Sequence, residues 1–476
     1  MKKFLILGVA LLTLTACQDL TLLNKDIKNP ESVPAGSLFA NATVTIMDFM
    51  TSANVNTNNF RLWAQQWAQT TYADESNYEL VERNVNGAAW NTLYAEAIRD
   101  LKDAKMFIEA DPLLSPATKA NQLAICEVLE VYSFHVLVDI FGDIPYSQAF
   151  GDDVTPAYDN DADVYLDLAS RLDAAIADLG GDSEFGAADL IYSGDADAWK
   201  KFANSLKLRM AIRLADTNGA LAKTMAESAV ASGVITSNAD NFAITYLTST
   251  PNTNPLWVDL VQSGRSDFVA ASTIIDPMKA LADPRLDLYF KDMVDVNGTM
   301  EFLGGTYGDN NTFNAYSHPG AIQQDPTFPG VLINFSEVSF LLADASERGY
   351  SVGGDAATHY SNGVEASILE WGGSQADADT YLAQEGVAYA TAAGDWKQKI
   401  GTQKWIALYD KGFEAWSTYR LYDYPVLPIA AQAQIPTPTR YTYPRTEYSL
   451  NGDAVEAAAT AIGGDALATK VFWDVN

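Results

Sequence analysis

The sequence predicts a mainly α-helical protein in which helices stack in pairs and long irregular segments interrupt them. Apolar residues recur with helical spacing over most of the chain. Several neighbouring helical segments are joined by short turns, as in helical hairpins. No fixed period of about 34 residues relates these segments, so helix pairs are predicted and true sequence repeats are not.

The helical segments can be assigned in chain order. The first clear pattern begins at Trp90 and runs through Phe107. In the next helix, Ser115 provides an N-cap and Pro116 a suitable first residue, and Gly142 ends it. Apolar residues occupy most sides of this helix, which predicts a place in the middle of the structure. Further helices are predicted at about residues 163–179, 196–216, 219–232, 334–349, 357–371, 376–385 and 395–422.

Two long segments break the helical pattern. Residues of about 50–87 are rich in Asn, Thr and aromatic side chains, and residues of about 246–325 add many Pro, Gly and Asp residues. Loops of this length in a compact domain usually have a function. From Pro425 onward, five prolines occur by Pro444, which predicts a mostly irregular tail.

The N-terminus has the pattern of an export signal. Two lysines precede an apolar run from Phe4 to Leu12, and small residues lead to Cys17. The run is shorter than the roughly 20 apolar residues of a membrane-spanning helix. The residues ending at Cys17 resemble a bacterial lipobox, which predicts cleavage before Cys17 and lipid on its thiol. The alternative is an ordinary secreted protein with a chance cysteine at this position.

These features predict three parts of the chain. Residues 1–16 form a lipoprotein signal peptide, residues 17–35 a lipidated tether, and residues 36–476 a single helical domain. Hydrophobic residues make up 48% of the chain, enough for a large core.

Charge and metal-binding residue types exclude several functions. The net charge of −31 disfavours nucleic acid as a partner, because such a surface repels its phosphates.

The residues that could bind a metal have simpler interpretations. Cys126 lies in an apolar helical pattern and is expected to pack as a small hydrophobe. His318, beside Pro319, is expected in an exposed loop. The oxygen-rich segments 159–161 and 309–311 do not match a calcium loop, and turns or helix caps explain them equally well. No metal or cofactor is assigned.

Six motifs in order resemble SusD/RagB-like nutrient-binding outer-membrane lipoproteins. Together with the lipobox, they run from Cys17 to Asn451, essentially the whole mature chain, although Asp344 stands where that family usually has Glu. The motifs are FHVLVDIFGDIPY (134–146), WKKFANSLKLR (199–209), DPRL (283–286), EVSFLLADA (337–345), QKWIALY with EAW (403–416) and YPRTEYSLN (443–451).

The resemblance implies a fold and a function. It implies a scaffold of four tetratricopeptide-like helix pairs with ligand-binding loops between them. It also implies display on the outer membrane of a Gram-negative bacterium, as a lid on a TonB-dependent, SusC-like β-barrel transporter. The implied ligand is a nutrient, with oligosaccharides the first choice and oligopeptides the second.

The two irregular segments contain residue types suited to a flexible, uncharged ligand. Trp and Tyr offer flat apolar faces, and Asn, Asp, Gln and Arg offer directed hydrogen bonds. The alternative is that each aromatic is a buried anchor for its loop, and Trp90 and Trp199 are expected in the core. The candidate contacts are Trp67, Tyr72, Tyr78, Trp257, Tyr307 and Tyr316.

Two other classes of function are weighed against a nutrient receptor. A surface glycan-degrading hydrolase needs two carboxylates across a cleft, but 61 acidic residues make such a pair uninformative. The sequence contains no G-x-S-x-G, H-E-x-x-H, P-loop or G-x-G-x-x-G motif. A helical scaffold without a small ligand does not require the long 246–325 segment.

Overall fold

The computed structural model describes residues 33–476. The predicted signal peptide, Cys17 and most of the predicted tether lie outside the described residues. The first helix begins at Ala35, where the tether is predicted to end.

The described chain is mainly α-helical, which confirms the predicted fold class. Two segments, Thr92–Ile98 and Val258–Gln262, have the wider π-helical winding. The α-helices are α1 Ala35–Thr51, α2 Phe60–Trp63, α3 Val85–Asn91, α4 Arg99–Ala110, α5 Pro116–Phe141, α6 Asp161–Asp178, α7 Ala196–Leu214, α8 Gly219–Ser232, α9 Pro255–Trp257, α10 Ser272–Ala280, α11 Leu286–Tyr289, α12 Phe335–Glu347, α13 Ala356–Glu370, α14 Gln375–Leu382, α15 Trp396–Ala407, α16 Gly412–Tyr422, α17 Arg445–Leu450 and α18 Gly452–Ala461.

Short antiparallel ladders fasten the loops to one another. Each ladder has two strands, paired as β1–β5, β2–β3, β4–β10, β6–β9 and β7–β8. The strands are β1 Trp67–Gln69, β2 Ile144–Pro145, β3 Tyr158–Asp159, β4 Phe242–Ile244, β5 Phe268–Ala270, β6 Phe290–Lys291, β7 Val294–Val296, β8 Thr299–Glu301, β9 His318–Pro319 and β10 Gly330–Ile333.

The long helix α5 has the predicted boundaries. The Ser115 side chain accepts a hydrogen bond from the backbone N–H of Thr118, and Pro116 occupies the first turn. Gly142 ends the helix with φ of +81°, a conformation that costs glycine little. Nearly all residues of α5 from Ala124 onward are buried, including Cys126, as expected for a central helix.

Consecutive helices pack in four pairs that match the implied tetratricopeptide-like scaffold. The pairs are α5 with α6, α7 with α8, α12 with α13, and α15 with α16. Their side chains join one extensive hydrophobic core. None of the helices described combines the length and the apolar character required to cross a bilayer.

One helix prediction near the C-terminus was wrong. The predicted helix 395–422 is two helices, α15 and α16, separated at residues 408–411. The guanidinium of Arg61 donates to two buried backbone carbonyls of this break, at 2.5 Å from Tyr409 O and 2.9 Å from Asp410 O. The tail from Pro425 is mostly irregular, as predicted, and its regular part is formed by α17 and α18 after Pro444.

The helix pairs share a buried network of ion pairs. Arg209 of α7 donates to Glu337 of α12 through Nε at 2.7 Å and Nη2 at 2.9 Å. Arg213 of α7 donates to Glu414 of α16 at 2.7 Å and pairs with Asp139 of α5. Charged residues of four sequence motifs therefore meet at one point, where together with Arg213 they connect the helix pairs.

A second ion-pair network surrounds Glu130 of α5. Its carboxylate lies 2.8 Å from Arg171 Nη2, 2.5 Å from Lys105 Nζ and 3.1 Å from Lys102 Nζ. Burial raises the pKa of Glu130, but the three cations outweigh burial and hold it at about 2. Burial and the opposing effects of Arg209 and Arg213 likewise leave the pKa of Glu414 at about 2.

We expect the free energy of unfolding to fall as pH is lowered from about 4.5 to about 2. The pKa values of Glu130 and Glu414 are depressed from 4.5 in the folded state, so their stabilisation is complete above pH 4.5 and disappears as they protonate. Urea unfolding at a series of pH values measures the slope. Glu130→Gln should flatten it, and an identical slope in wild type and variant would contradict this assignment.

Candidate functional site

The two irregular segments meet through the ladder between β1 and β5. Trp67, Ala68 and Gln69 pair with Ala270, Val269 and Phe268, respectively. Beyond the ladder, the Thr70 hydroxyl donates to the carbonyl of Ser266 at 2.6 Å. Segments almost 200 residues apart in sequence thus form one surface.

This surface contains three adjoining cavities. Cavity A has a volume of about 660 Å³, cavity B about 300 Å³ and cavity C about 380 Å³. Arg265, Asp267 and Phe268 line both A and B, and Asn54 and Asp259 line both B and C. We call the surface formed by cavities A, B and C the loop face.

Tyr72 is the most exposed of the predicted contacts. Its side chain is 67% exposed and lines cavity B with Arg83 and Arg265. Its backbone has φ of +56°, which costs a tyrosine about 1–3 kcal/mol and must be held by its surroundings. The Gln69 amide contributes by donating to the carbonyl of Tyr72 at 3.1 Å.

Tyr316 is half-buried and lines cavity A beside His318. The exposed-loop prediction for His318 was wrong, because only 8% of this residue is exposed. Its ring stacks on Phe313 at 3.8 Å, and its two nitrogens lie 2.8 Å from Asp292 Oδ2 and 3.0 Å from Phe313 O. Both partners, the Asp292 carboxylate and the Phe313 carbonyl, are hydrogen-bond acceptors.

Trp67, Tyr78 and Tyr307 offer little or no surface to a ligand. Trp67 is fully buried, donates to the Tyr409 hydroxyl at 2.7 Å and packs against Arg61. Tyr78 and Tyr307 are each 4% exposed. These three side chains anchor the loops to the helices, and a ligand reaches none of their ring faces in this structure.

Trp257 has an intermediate position. It is half-buried at the end of α9, immediately before the π-helical segment Val258–Gln262. It is not among the residues lining cavities A, B and C, whereas Val258 and Asp259 beside it are. Of the six predicted contacts, the structure therefore brings Tyr72 and Tyr316 into the cavities.

The sequence analysis missed the residues that join the cavities. Arg265 and Asp267 form an ion pair on the segment before β5, and the Arg265 side chain is largely exposed. Their position after an Asn- and Pro-rich stretch was only a weak sign of a functional role, because charged residues are common in any surface loop. Their role as the ridge between cavities A and B depends on the β1–β5 ladder.

Cavity C is lined by hydroxyl, amide and carboxyl groups. Burial raises the pKa of Asp48 to about 6, although the Tyr246 hydroxyl opposes the shift by donating to it at 2.8 Å. Burial also raises the pKa of Asp259 to about 6. Above pH 6 both groups are charged, so cavity C becomes anionic and rich in hydrogen-bond acceptors.

The oxygen-rich segments considered for calcium have structural roles. Asn160 accepts from the backbone N–H of Asp163 as the N-cap of α6. Asn311 accepts from Thr306 N and donates to Gln69 O, each at 2.9 Å. Within residues 33–476, no group of three or more His, Cys, Asp or Glu side chains is placed to hold a metal ion.

The loop face has the chemistry of a binding site for a chain of polar rings. Aromatic side chains supply apolar faces, and Arg265, Asp267 and Asn54 supply donors and acceptors along one connected surface. A family profile described as "Starch-binding associating with outer membrane" matches residues 27–444. The chain belongs to the SusD-like family.

Solved SusD-like structures resemble the chain over nearly its full length. A chitin-binding protein is 29% identical, with a TM-score of 0.81 over 93% of this chain and 100% of that one. A chitin-binding SusD homologue from Flavobacterium johnsoniae is 28% identical, with a TM-score of 0.79 over 92% and 99%.

A SusD-like protein from Bacteroides thetaiotaomicron is 25% identical, with a TM-score of 0.78 over 92% of this chain and 98% of that one. A comparison with curated protein sequences found no match. The SusD-like fold therefore rests on the family profile and on these solved structures.

Proposed function

We propose that this protein is a surface receptor that binds a neutral oligosaccharide on the loop face and passes it to a TonB-dependent, SusC-like transporter. The observation that carries the proposal is the connected set of cavities A, B and C, with Tyr72 and Tyr316 at two of them. Two relatives near 30% identity are chitin-binding proteins, which makes chitin oligosaccharides the first ligands to test.

The proposal includes the predicted attachment to the outer membrane. Cleavage before Cys17 would leave a lipid anchor, residues 17–35 as a tether and residues 36–476 as the receptor domain. Labelled palmitate should enter the wild-type protein and not Cys17→Ser. Label in both proteins, or in neither, would contradict lipidation at Cys17.

A binding protein is favoured over a hydrolase because the loop face offers stacking and hydrogen-bonding groups without a nucleophile in a recognised motif. We expect bound oligosaccharides to be recovered intact. Chromatography of the oligosaccharide after prolonged incubation with the protein tests this. Cleavage to shorter oligosaccharides that continues after the protein has been purified a second time would favour the hydrolase.

The loop-face assignment is tested by titrating chitin oligosaccharides, malto-oligosaccharides and mixed oligopeptides into the protein. We expect Tyr72→Ala and Tyr316→Ala each to weaken oligosaccharide binding about 3- to 10-fold, because each removes a stacking face. Tyr350→Ala is the matched control, since Tyr350 lies in the turn after α12 and outside the loop face.

Unchanged affinity in both loop-face variants would remove the site assignment. If peptides bind and none of the sugars does, the ligand is an oligopeptide, the second choice. Co-purification of a barrel protein with the full-length receptor tests the transporter partnership separately from the ligand.

A further inference from the structure

A fourth cavity, D, lies apart from the loop face. Its volume is about 210 Å³. The segment around Thr92–Ile98 separates it from cavity C, because Thr92 and Glu96 line cavity C whereas Trp90 and Tyr94 line cavity D. This segment is π-helical, a winding often found at functional sites.

Aromatic rings form much of the wall of cavity D. Trp90, expected in the core from sequence, is half-buried here, with its ring centre 4.8 Å from that of Tyr94. The ring of Phe150 lies 6.1 Å from Tyr94 and contacts the cations of Arg99 and Lys102. Such rings present flat apolar surface at low entropic cost.

The position of Phe150 requires support from the surrounding chain. Its φ of +65° is unusual for a bulky residue and costs about 1–3 kcal/mol. The β2–β3 ladder closes its loop, and the Tyr94 hydroxyl donates to Pro145 O at 2.6 Å. The loop therefore holds Phe150 at the cavity instead of allowing it to relax.

Polar groups stand beside the aromatic wall. Glu447 accepts from the Tyr158 hydroxyl at 2.8 Å, which leaves its other oxygen for a further donor. Asn451 donates to Pro156 O at 2.8 Å and joins α17 to the same loop. At the rim, Val154 is 88% exposed and Leu450 is 73% exposed, so the apolar surface extends outward.

We propose that cavity D is a second carbohydrate site that takes one neutral pyranose ring. Its volume lies below the roughly 300–1,000 Å³ of sites for drug-sized ligands and suits a single ring. The apolar face of a sugar stacks on Phe150 and Trp90, and a hydroxyl donates to Glu447. The proposal stands apart from the loop face, since none of the residues described at cavity D lines cavities A, B or C.

The charge of cavity D selects against acidic sugars. Among the described residues that line cavity D, Glu447 alone carries a charge, and it is acidic. A uronic acid that placed its carboxylate beside Glu447 would meet like-charge repulsion there, because the cations of Arg99 and Lys102 lie against the Phe150 ring and not at Glu447. The expected order of binding is therefore a neutral pyranoside well above its uronic acid counterpart.

The test uses saturation-transfer NMR with three probes: methyl β-N-acetylglucosaminide, methyl α-glucoside and methyl glucuronide. The full-length double variant Tyr72→Ala/Tyr316→Ala serves as the background because it weakens the loop face. We expect at least one neutral glycoside to give a signal on this background and methyl glucuronide to give little. Adding Phe150→Ala or Leu450→Asp should reduce the neutral signal at least fivefold.

Leu450→Asp keeps the test valid if Phe150→Ala fails to fold, because Leu450 is exposed. Leu113→Ser is the matched control, since Leu113 is an exposed leucine in the turn before α5 and outside cavity D. A signal that survives Leu450→Asp, or no signal from either neutral probe, would overturn the proposal. If oligosaccharide affinity is the same in the wild type and in the Tyr72→Ala/Tyr316→Ala background while the cavity D signal is retained, only the proposed function is contradicted.

Discussion

Replacing Arg209 with methionine is expected to lower the free energy of unfolding by about 3–5 kcal/mol. The guanidinium is nearly fully buried, contacts Glu337 through two hydrogen bonds and lies 3.2 Å from Glu414. Without this guanidinium, the buried carboxylates of Glu337 and Glu414 lose a positive charge that compensates them. Urea unfolding at pH 7 measures the loss.

Two further variants separate charge from packing. Lys223→Met removes an exposed partner of Glu227, at 3.8 Å, and should cost about 1 kcal/mol or less. Arg209→Met/Glu337→Leu removes both charges of the buried pair and should recover part of the stability lost in the single variant. A loss in Arg209→Met no greater than that in Lys223→Met would show that the network does not hold the helix pairs together.

Replacing Trp67 with alanine is expected to cost about 3–5 kcal/mol and to loosen the loop face. Trp67 is fully buried at the β1–β5 ladder, where it packs with Phe268 and donates to Tyr409. Unfolding measurements give the energetic cost. Hydrogen exchange of residues 67–69 and 268–270 reports whether the two loops separate.

Trp67→Phe is the matched variant for this prediction. It retains most of the apolar volume and loses the 2.7 Å hydrogen bond to the Tyr409 hydroxyl, which should cost about 1–3 kcal/mol because that hydroxyl is buried. Ligand affinity should fall in Trp67→Ala through loss of the loop positions, and much less in Trp67→Phe. Equal exchange rates in wild type and Trp67→Ala would contradict the anchoring role.

Helix positions could be predicted where the sequence contains its own boundary signals. Ser115, Pro116 and Gly142 define α5 through local capping, which does not depend on distant contacts. The break between α15 and α16 could not be found this way. Its carbonyls are satisfied by Arg61, more than 300 residues earlier, and no local residue marks that partnership.

The C-terminal helices illustrate a signal that was present but outweighed. The five prolines after residue 424 favoured an irregular tail. Helix α18, with sequence GDAVEAAATA, is rich in alanine and begins beyond the last of these prolines. Composition over a long segment concealed a short stretch of strong helix formers.

The sequence predicts which segments form the loop face more readily than which of their side chains are exposed on it. Composition identified both irregular segments, and the structure joins them in the loop face. Exposure of a single aromatic depends on tertiary contacts, so the sequence could not separate Tyr72 from Trp67. It also could not show that Arg265 and Asp267 join cavities A and B, because that follows from strand pairing.

The most direct test of the receptor account is a crystal structure of the protein with a bound oligosaccharide from the titration panel. The account predicts sugar rings in cavities A and B, against Tyr72 and Tyr316 and within hydrogen-bonding distance of Arg265 or Asp267. An oligosaccharide bound elsewhere on the helical scaffold, with the loop face empty, would contradict it.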